Sequence, residues 1–396
     1  MTPTATGVGL GPGDVLSVGH QATRTGAPMV QLALARWVAR HHGRPPRLIE
    51  MAGGTLEGEF AALGATVLGP LGSRRWMVER GLAELDRHRL AAVAATLRHG
   101  PAFARHRDVA VVHLSSVGSA LALRFVPAGR RVVTHCHELG PTIDEVLSEA
   151  MWARLVDATT TWIAVSDAVA VDLVARGVRP GAVVRHPEMI DPPHPDPGAT
   201  AEVRARLGVR PGELVVGMVG TTHWRKGPDL FLRLAAALRR RRPDLAVRFV
   251  WVGGASTGPE LWPFEHDVAR AGLGEVVSFV GEVEDPASWF AAFDVFCLTS
   301  RLDPFPLVCL EAMALGVPVV SFASGGMEEL AVAGGGPNLV VVPCLDVEAM
   351  AEAVSALAAD DARRGDLPGR GQAWVRAHHL TEQVAPALWA TVLGTS

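Results

Sequence analysis

The chain has no tyrosine, and Lys226 is the only lysine among its 396 residues, in which Lys and Arg together number 37. A single amine leaves little room for chemistry built on a lysine-bound cofactor such as pyridoxal phosphate. The four cysteines (Cys136, Cys297, Cys309 and Cys344) are widely spaced and form no C-x-x-C pair. They read as reduced thiols, three of them in apolar runs, of a cytoplasmic protein. No run of about 18 apolar residues exists, so no segment reads as a membrane span. The first thirteen residues lack a basic region followed by an apolar stretch, and read as a loose tail rather than a signal peptide. A peripheral membrane contact stays open. No D-x-D occurs to hold a divalent cation on a diphosphate, and no G-x-G-x-x-G joins a strand to a helix. The second absence counts against a nicotinamide oxidoreductase. With a formal net charge of −4, the chain has no general attraction for nucleic acid.

What is present is an alternation. With 48% apolar and 20% charged residues the chain is of globular type, and its length suits two to three domains. Short β-rich runs at 14–19 (DVLSVG), 48–51, 65–68, 109–114, 131–135 and 161–165 alternate with helical patterns, among them 28–41 and 145–156. Such alternation predicts right-handed βαβ units and a parallel sheet covered on both faces. Residues 185–200 (RHPEMIDPPHPDPGAT) break the pattern, being too rich in proline for a helix or a central strand, and read as a linker. A second series follows at 214–220, 247–253, 276–281, 295–299 and 317–322, with a helix near 347–357. The expected fold class is α/β, with two doubly wound Rossmann-like domains at 1–188 and 213–376. A linker spans 189–212, and a last helix in 377–396 is placed to cross back to the first domain. Open α/β sheets bind ligands outside the carboxyl ends of their strands, so a cleft between those edges is the expected site.

Residues 299–321 (TSRLDPFPLVCLEAMALGVPVVS) are the most informative stretch. A strand ends near Ser300, a turn follows at Asp303-Pro304-Phe305-Pro306, and a helix is expected from Pro306 to Leu315, stopped by Gly316. Its N-terminus offers unpaired amides and a positive dipole end to an anion. Glu311 is the only charged residue between Pro304 and Met327. A lone carboxylate there is costly unless hydrogen-bonded, for which ribose hydroxyls or a neighbouring backbone group are candidates. Asp303 reads either as a turn and capping residue or as a site acid. A second signal is 217–227 (GMVGTTHWRKG), where a strand ends at Gly220 and Thr221 before the adjacent cations Arg225 and Lys226. Two such cations suit a diphosphate. In the first half, 17–28 (SVGHQATRTGAP) places Gly26 before a helix, and His135-Cys136-His137-Glu138 follows a strand. A histidine there suits orientation or deprotonation of a hydroxyl, or is a packed core residue.

Asp303 and Glu311, with seven residues between them, resemble the E-x7-E element of retaining glycosyltransferases of the GT-B fold, specifically the large family 4. The resemblance covers nearly the whole chain and is strongest over 216–329. It implies that Glu311 holds the donor ribose, that the first acid contacts sugar hydroxyls, and that the turn at Phe305, Pro306 and Leu307 meets sugar and phosphate. Asp303 stands where the family carries glutamate, keeping the charge with a reach one methylene shorter. Arg225 and Lys226 are similar to the paired basic residues that neutralise the departing diphosphate, with Gly220 and Thr221 beside them. Val283 lies where relatives seat the nucleobase. Residues 25–28 (TGAP) resemble the loop of one branch that closes over donor phosphate and acceptor, which gives Gly26 a donor contact. A comparable H-E element faces the reacting sugar, which favours His137 over His135.

The resulting expectation is a retaining, metal-independent glycosyltransferase that moves a sugar from a nucleotide-sugar to an unidentified hydroxyl acceptor, with no cofactor. Its catalytic residues are expected to be His137, Arg225, Lys226 and Asp303. A nucleotide-sugar epimerase of the same architecture, or a catalytically impaired nucleotide-sugar-binding protein exploiting the Asp303 change, are the alternatives.

Overall fold

A computed structural model describes residues 10–69, 99–333, 339–359 and 361–395, with no side chains described for 361–365. The chain divides into two compact units, Met1–Met189 with Thr381–Ser396, and Ile190–Leu380.

Among the described residues of the first unit, seven parallel strands form one sheet: β1 (Val15–Gly19), β2 (Arg47–Glu50), β3 (Thr66–Val67), β4 (Val111–Leu114), β5 (Arg131–Cys136), β6 (Thr161–Ala164) and β7 (Val183–Arg185). Their order is β3-β2-β1-β4-β5-β6-β7. Every residue of β1 and β4 is buried, as expected when helices cover both faces of a parallel sheet. The helix Gly26–His42 returns from β1 and buries one face, including Leu32, Leu34 and Trp37. The C-terminal helix Thr381–Leu393 packs on it. Trp37 donates its indole N–H to Glu382 at 3.0 Å, and Arg131 at the start of β5 donates to the carbonyls of Thr391 and Val392.

The described residues of the second unit hold six parallel strands: β8 (Leu214–Val219), β9 (Val247–Val252), β10 (Val277–Gly281), β11 (Val295–Leu298), β12 (Val319–Phe322) and β13 (Val340–Val342). They run in the order β10-β9-β8-β11-β12-β13. The chain reverses its winding between β1 and β4 in one sheet and between β8 and β11 in the other. Loops diverge at such points and open a crevice at the strand ends. Among the described residues no helix is long and apolar enough to cross a membrane.

Three details correct the sequence reading. The helix expected over 145–156 is two helices, Gly140–Val146 and Glu149–Ala158. Leu147 is extended, and the Ser148 hydroxyl caps the second helix by accepting from the Met151 amide. The supposed linker at 189–212 contains the helix Pro197–Arg206. Proline is tolerated at its first position because that amide has no partner in a helix, and Asp196 caps the next two amides. The Asp196 amide also bonds Ser288, tying the segment to the second unit. Finally, β7 and β13 are short edge strands that no alternating pattern announced.

One buried polar group weakens the first unit. Glu50, at the carboxyl end of β2, is fully buried, and among the described residues neither carboxyl oxygen has a hydrogen-bond partner. Burial pushes its pKa well above the ordinary carboxylate range, against a smaller opposing pull from the Gln31 amide. The folded chain therefore binds a proton that the unfolded chain releases above its usual pKa near 4.5. Stability is lost as pH rises from there towards the folded pKa. Glu50→Gln is expected to raise Tm at pH 8 by a few degrees, about what 1 kcal/mol yields in a domain of this size. The gain should vanish near pH 4. A thermal melt series across that range checks it, and an unchanged or lowered Tm at pH 8 refutes it.

Candidate active site

Two neighbouring strands of the second unit, β8 and β11, each deliver a loop and then a helix beginning at their carboxyl ends. After β8 the chain passes Gly220 and Thr221 into a single turn, Trp224–Lys226, and the helix Pro228–Arg241. Gly227 sits between them at φ 74°, and a side chain there would collide with the Thr299 carbonyl. Only glycine allows both the left-handed turn and the close approach of the two loops. The Thr299 hydroxyl donates to the carbonyls of Lys226 and Gly227, and the Arg301 amide to that of Arg225, which ties the β11 loop to the β8 loop. Arg301 clamps Asp229 with both guanidinium nitrogens, at 2.8 and 2.6 Å.

This fastening brings the expected cations onto the expected acid. Lys226 Nζ lies 2.5 Å from Asp303 Oδ2, and the Ser300 hydroxyl donates to the same oxygen at 3.0 Å. Arg225 stands 3.9 Å from Oδ1 and donates to the Leu302 carbonyl at 2.9 Å. Asp303 is buried. Burial alone would raise its pKa, but the charges of Lys226 and Arg225 and the bonds from Lys226 and Ser300 outweigh it and keep the carboxyl below its ordinary value. The group is therefore an ionised carboxylate held between cations.

Beyond Asp303 the chain turns through Phe305 into the helix Leu307–Ala314, with Pro306 as its N-cap. Among the described residues no side chain caps that helix, so its first amides lack a side-chain partner there. Phe305 is buried, 5.5 Å from the His379 ring and packed under Gly326. Gly325, at φ 56°, brings the next loop so close that a side chain would strike the Asp303 carbonyl. Glu311 lies one turn into the helix, half-buried, and no described residue donates to its carboxylate. Burial pushes its pKa up to about 7.

Other expected residues are less engaged. The Gly220 carbonyl accepts from the Trp251 indole at 2.9 Å, which anchors the end of β8. Thr221 is exposed, and Val283 is half-buried in the loop after β10. Gly26 opens the first helix of the first unit; its φ is not left-handed and a side chain would meet nothing there, so the turn itself does not demand glycine.

His137 follows β5 in the first unit. Its Nδ1 lies 2.7 Å from Glu188 Oε1, with both side chains almost completely buried. The sequence reading missed Glu188, because it lies in the proline-rich stretch. The signal was the pair Met189-Ile190 beside it, both buried, which no solvated linker carries side by side. Glu138 accepts from the Ser116 hydroxyl and from the Val117 and His137 amides. Among the described residues no group of three or more His, Cys, Asp or Glu side chains is arranged to hold a metal.

The two parallel-sheet α/β units have the GT-B fold. Anabaena HepE, solved with UDP-glucose, superposes with a TM-score of 0.76 over 96% of this chain and 99% of its own, at 19% identity. Residues 213–360 match the model for glycosyl transferases group 1. The chain is 36% identical over 193 residues to the lipopolysaccharide core biosynthesis mannosyltransferase LpsB of Rhizobium meliloti, covering 48% of this chain and 54% of LpsB. It is 33% identical over 268 residues to the GDP-mannose-dependent alpha-(1-6)-phosphatidylinositol monomannoside mannosyltransferase of Mycolicibacterium smegmatis, covering 62% of this chain and 65% of that enzyme. The matches thus span between half and two thirds of these curated relatives.

Proposed function

We propose that the protein is a retaining glycosyltransferase that moves a sugar from a nucleotide-sugar to a hydroxyl acceptor without a metal ion or cofactor. The observation that carries this is the convergence of Arg225, Lys226, Asp303, an uncapped helix N-terminus and the unpartnered Glu311 at the ends of β8 and β11. Glu311 takes the ribose hydroxyls that no protein donor replaces. Lys226, Arg225 and the helix amides at Pro306 and Leu307 take the diphosphate, whose negative charge grows as the glycosidic bond breaks. Stabilising that developing charge is the main source of rate acceleration open to such a site. Gly220, Thr221 and Phe305 shape the donor pocket, and Val283 flanks the base. His137 orients the acceptor hydroxyl. The acceptor oxygen bonds to the anomeric carbon on the face the diphosphate leaves, and its proton passes to a leaving phosphate oxygen. No protein nucleophile is needed.

Three measurements test this together. A thermal-shift screen with UDP-glucose and GDP-mannose should raise Tm for the donor it accepts. With that donor, activity should survive excess chelator, and proton NMR of the product should show an α-linkage from an α-linked donor. A β product, or loss of activity on chelation with rescue by manganese, overturns the mechanism. A second reading has one observation in its favour: the Asp303 carboxylate is already engaged by Lys226 and Ser300, as in a protein that binds the donor without turning it over. Titration showing tight binding with no product across a broad acceptor panel would select it.

A further inference from the structure

We propose that Glu188 is a positioning residue for His137, holding the Nδ1 side of the imidazolium so that Nε2–H is left as a donor to an oxygen of the bound sugar or acceptor. The role of that donor rests on the transferase reading above, whereas the pairing of the two side chains does not.

A carboxylate only accepts hydrogen bonds, so the 2.7 Å contact places a proton on His137 Nδ1. The side chains are 6% and 3% exposed, so water screens the Glu188 charge little, and a carboxylate so placed favours the charged form of the imidazole. With Nδ1 committed, Nε2 is the remaining polar atom of the ring, and it is buried with no partner among the described residues. A buried donor left unmade costs about 1–3 kcal/mol. Such an atom at the carboxyl edge of a parallel sheet is suited to a ligand oxygen.

The neighbouring imidazoles show what Glu188 does. The His135 ring lies tilted against that of His137 at 4.1 Å between centroids, and His113 lies 6.0 Å from His135. His20 is close enough for its charge to be felt. Burial drives all three towards neutrality: His113 to about 3, His135 well below its ordinary value, and His20 lower despite the attraction of Glu138. His137 is the exception. Burial alone would lower it, but Glu188, through its charge and its hydrogen bond, and then Glu138 more weakly, reverse the effect and raise it. Glu138 is occupied by Ser116 and by backbone amides, which leaves Glu188 as the partner bonded to the ring.

The test is an imidazole NMR titration of the full chain, with the His137 resonance identified by its absence in His137→Gln. In the wild type this ring should titrate above 6.5. Glu188→Gln keeps an acceptor for Nδ1–H but removes the charge, and should lower the His137 pKa by about one unit or more. Glu188→Asp should recover part of the shift. The pH at which nucleotide release from UDP-glucose or GDP-mannose is half-maximal should fall in step. A wild-type His137 that titrates below 6.5, or a Glu188→Gln titration unchanged from wild type, overturns the proposal even if the variants prove less stable. So does a shifted titration that leaves the release profile in place. If the wild type releases nucleotide from neither donor, the transferase reading is what has failed, and the imidazole titration by itself decides the pair.

Discussion

Lys226→Ala is expected to lower nucleotide-sugar turnover by roughly 10²- to 10³-fold, the loss typical when one preorganised donor to a developing oxyanion is removed. The ammonium is compact and already oriented by Asp303 at 2.5 Å, so little reorganisation is needed when diphosphate arrives. Truncating it also strands a buried aspartate, and breaking such a pair costs about 3–5 kcal/mol. The double variant Lys226→Met with Asp303→Asn removes both charges together and separates the two effects. It should fold close to normally and remain as inactive as Lys226→Ala. Because Lys226 is the only lysine, reductive methylation with ¹³C labels that side chain and the N-terminal amine alone. The lysine resonance should move when UDP or GDP is added. Near-normal turnover in a folded Lys226→Ala variant, or a resonance indifferent to nucleotide, ends the assignment.

Glu311→Gln is expected to act in opposite directions on stability and on binding. Among the described residues the carboxyl has no hydrogen-bond donor, and burial lifts its pKa to about 7. A carboxyl whose folded pKa lies above its unfolded value weakens the fold as pH rises through that window. The amide should therefore leave Tm unchanged at about pH 5 and raise it at about pH 8. Nucleotide affinity should fall by roughly 10- to 100-fold, because a carboxylate bonded to ribose hydroxyls is charge-assisted and worth about 1.5–3 kcal/mol. Wild-type affinity should also strengthen between about pH 6 and pH 8 as Glu311 ionises, and the variant should lose that dependence. Isothermal titration at both pH values, paired with melts of the free protein, measures all of this. Unchanged affinity would make Glu311 structural.

Much of the architecture was legible in the chain, because strand and helix periods are local and parallel sheets need apolar runs. The runs at 14–19, 214–220 and 295–299 are β1, β8 and β11 within a residue or two. The proline and glycine around 304–316 bracket the helix that carries Glu311. The D-x7-E spacing and the Arg225-Lys226 pair were also visible, since each lies within one short run of chain.

What tertiary structure alone decided was pairing. Lys226 and Asp303 are 77 positions apart, as different strands of one sheet deliver them, and nothing local announces that they share a hydrogen bond. His137 and Glu188 are separated by 51 positions, and the carboxylate lies in a stretch whose prolines masked its burial. The helix Pro197–Arg206 was hidden for a related reason: proline forbids a helix interior but suits a helix start, and composition does not distinguish the two. Sequence patterns record what each segment prefers by itself. Partners, burial and the charge states they impose arise only once β5 lies beside β6, β6 beside β7, and β8 beside β11, because the energies that set them fall off over a few ångströms of space and not of chain.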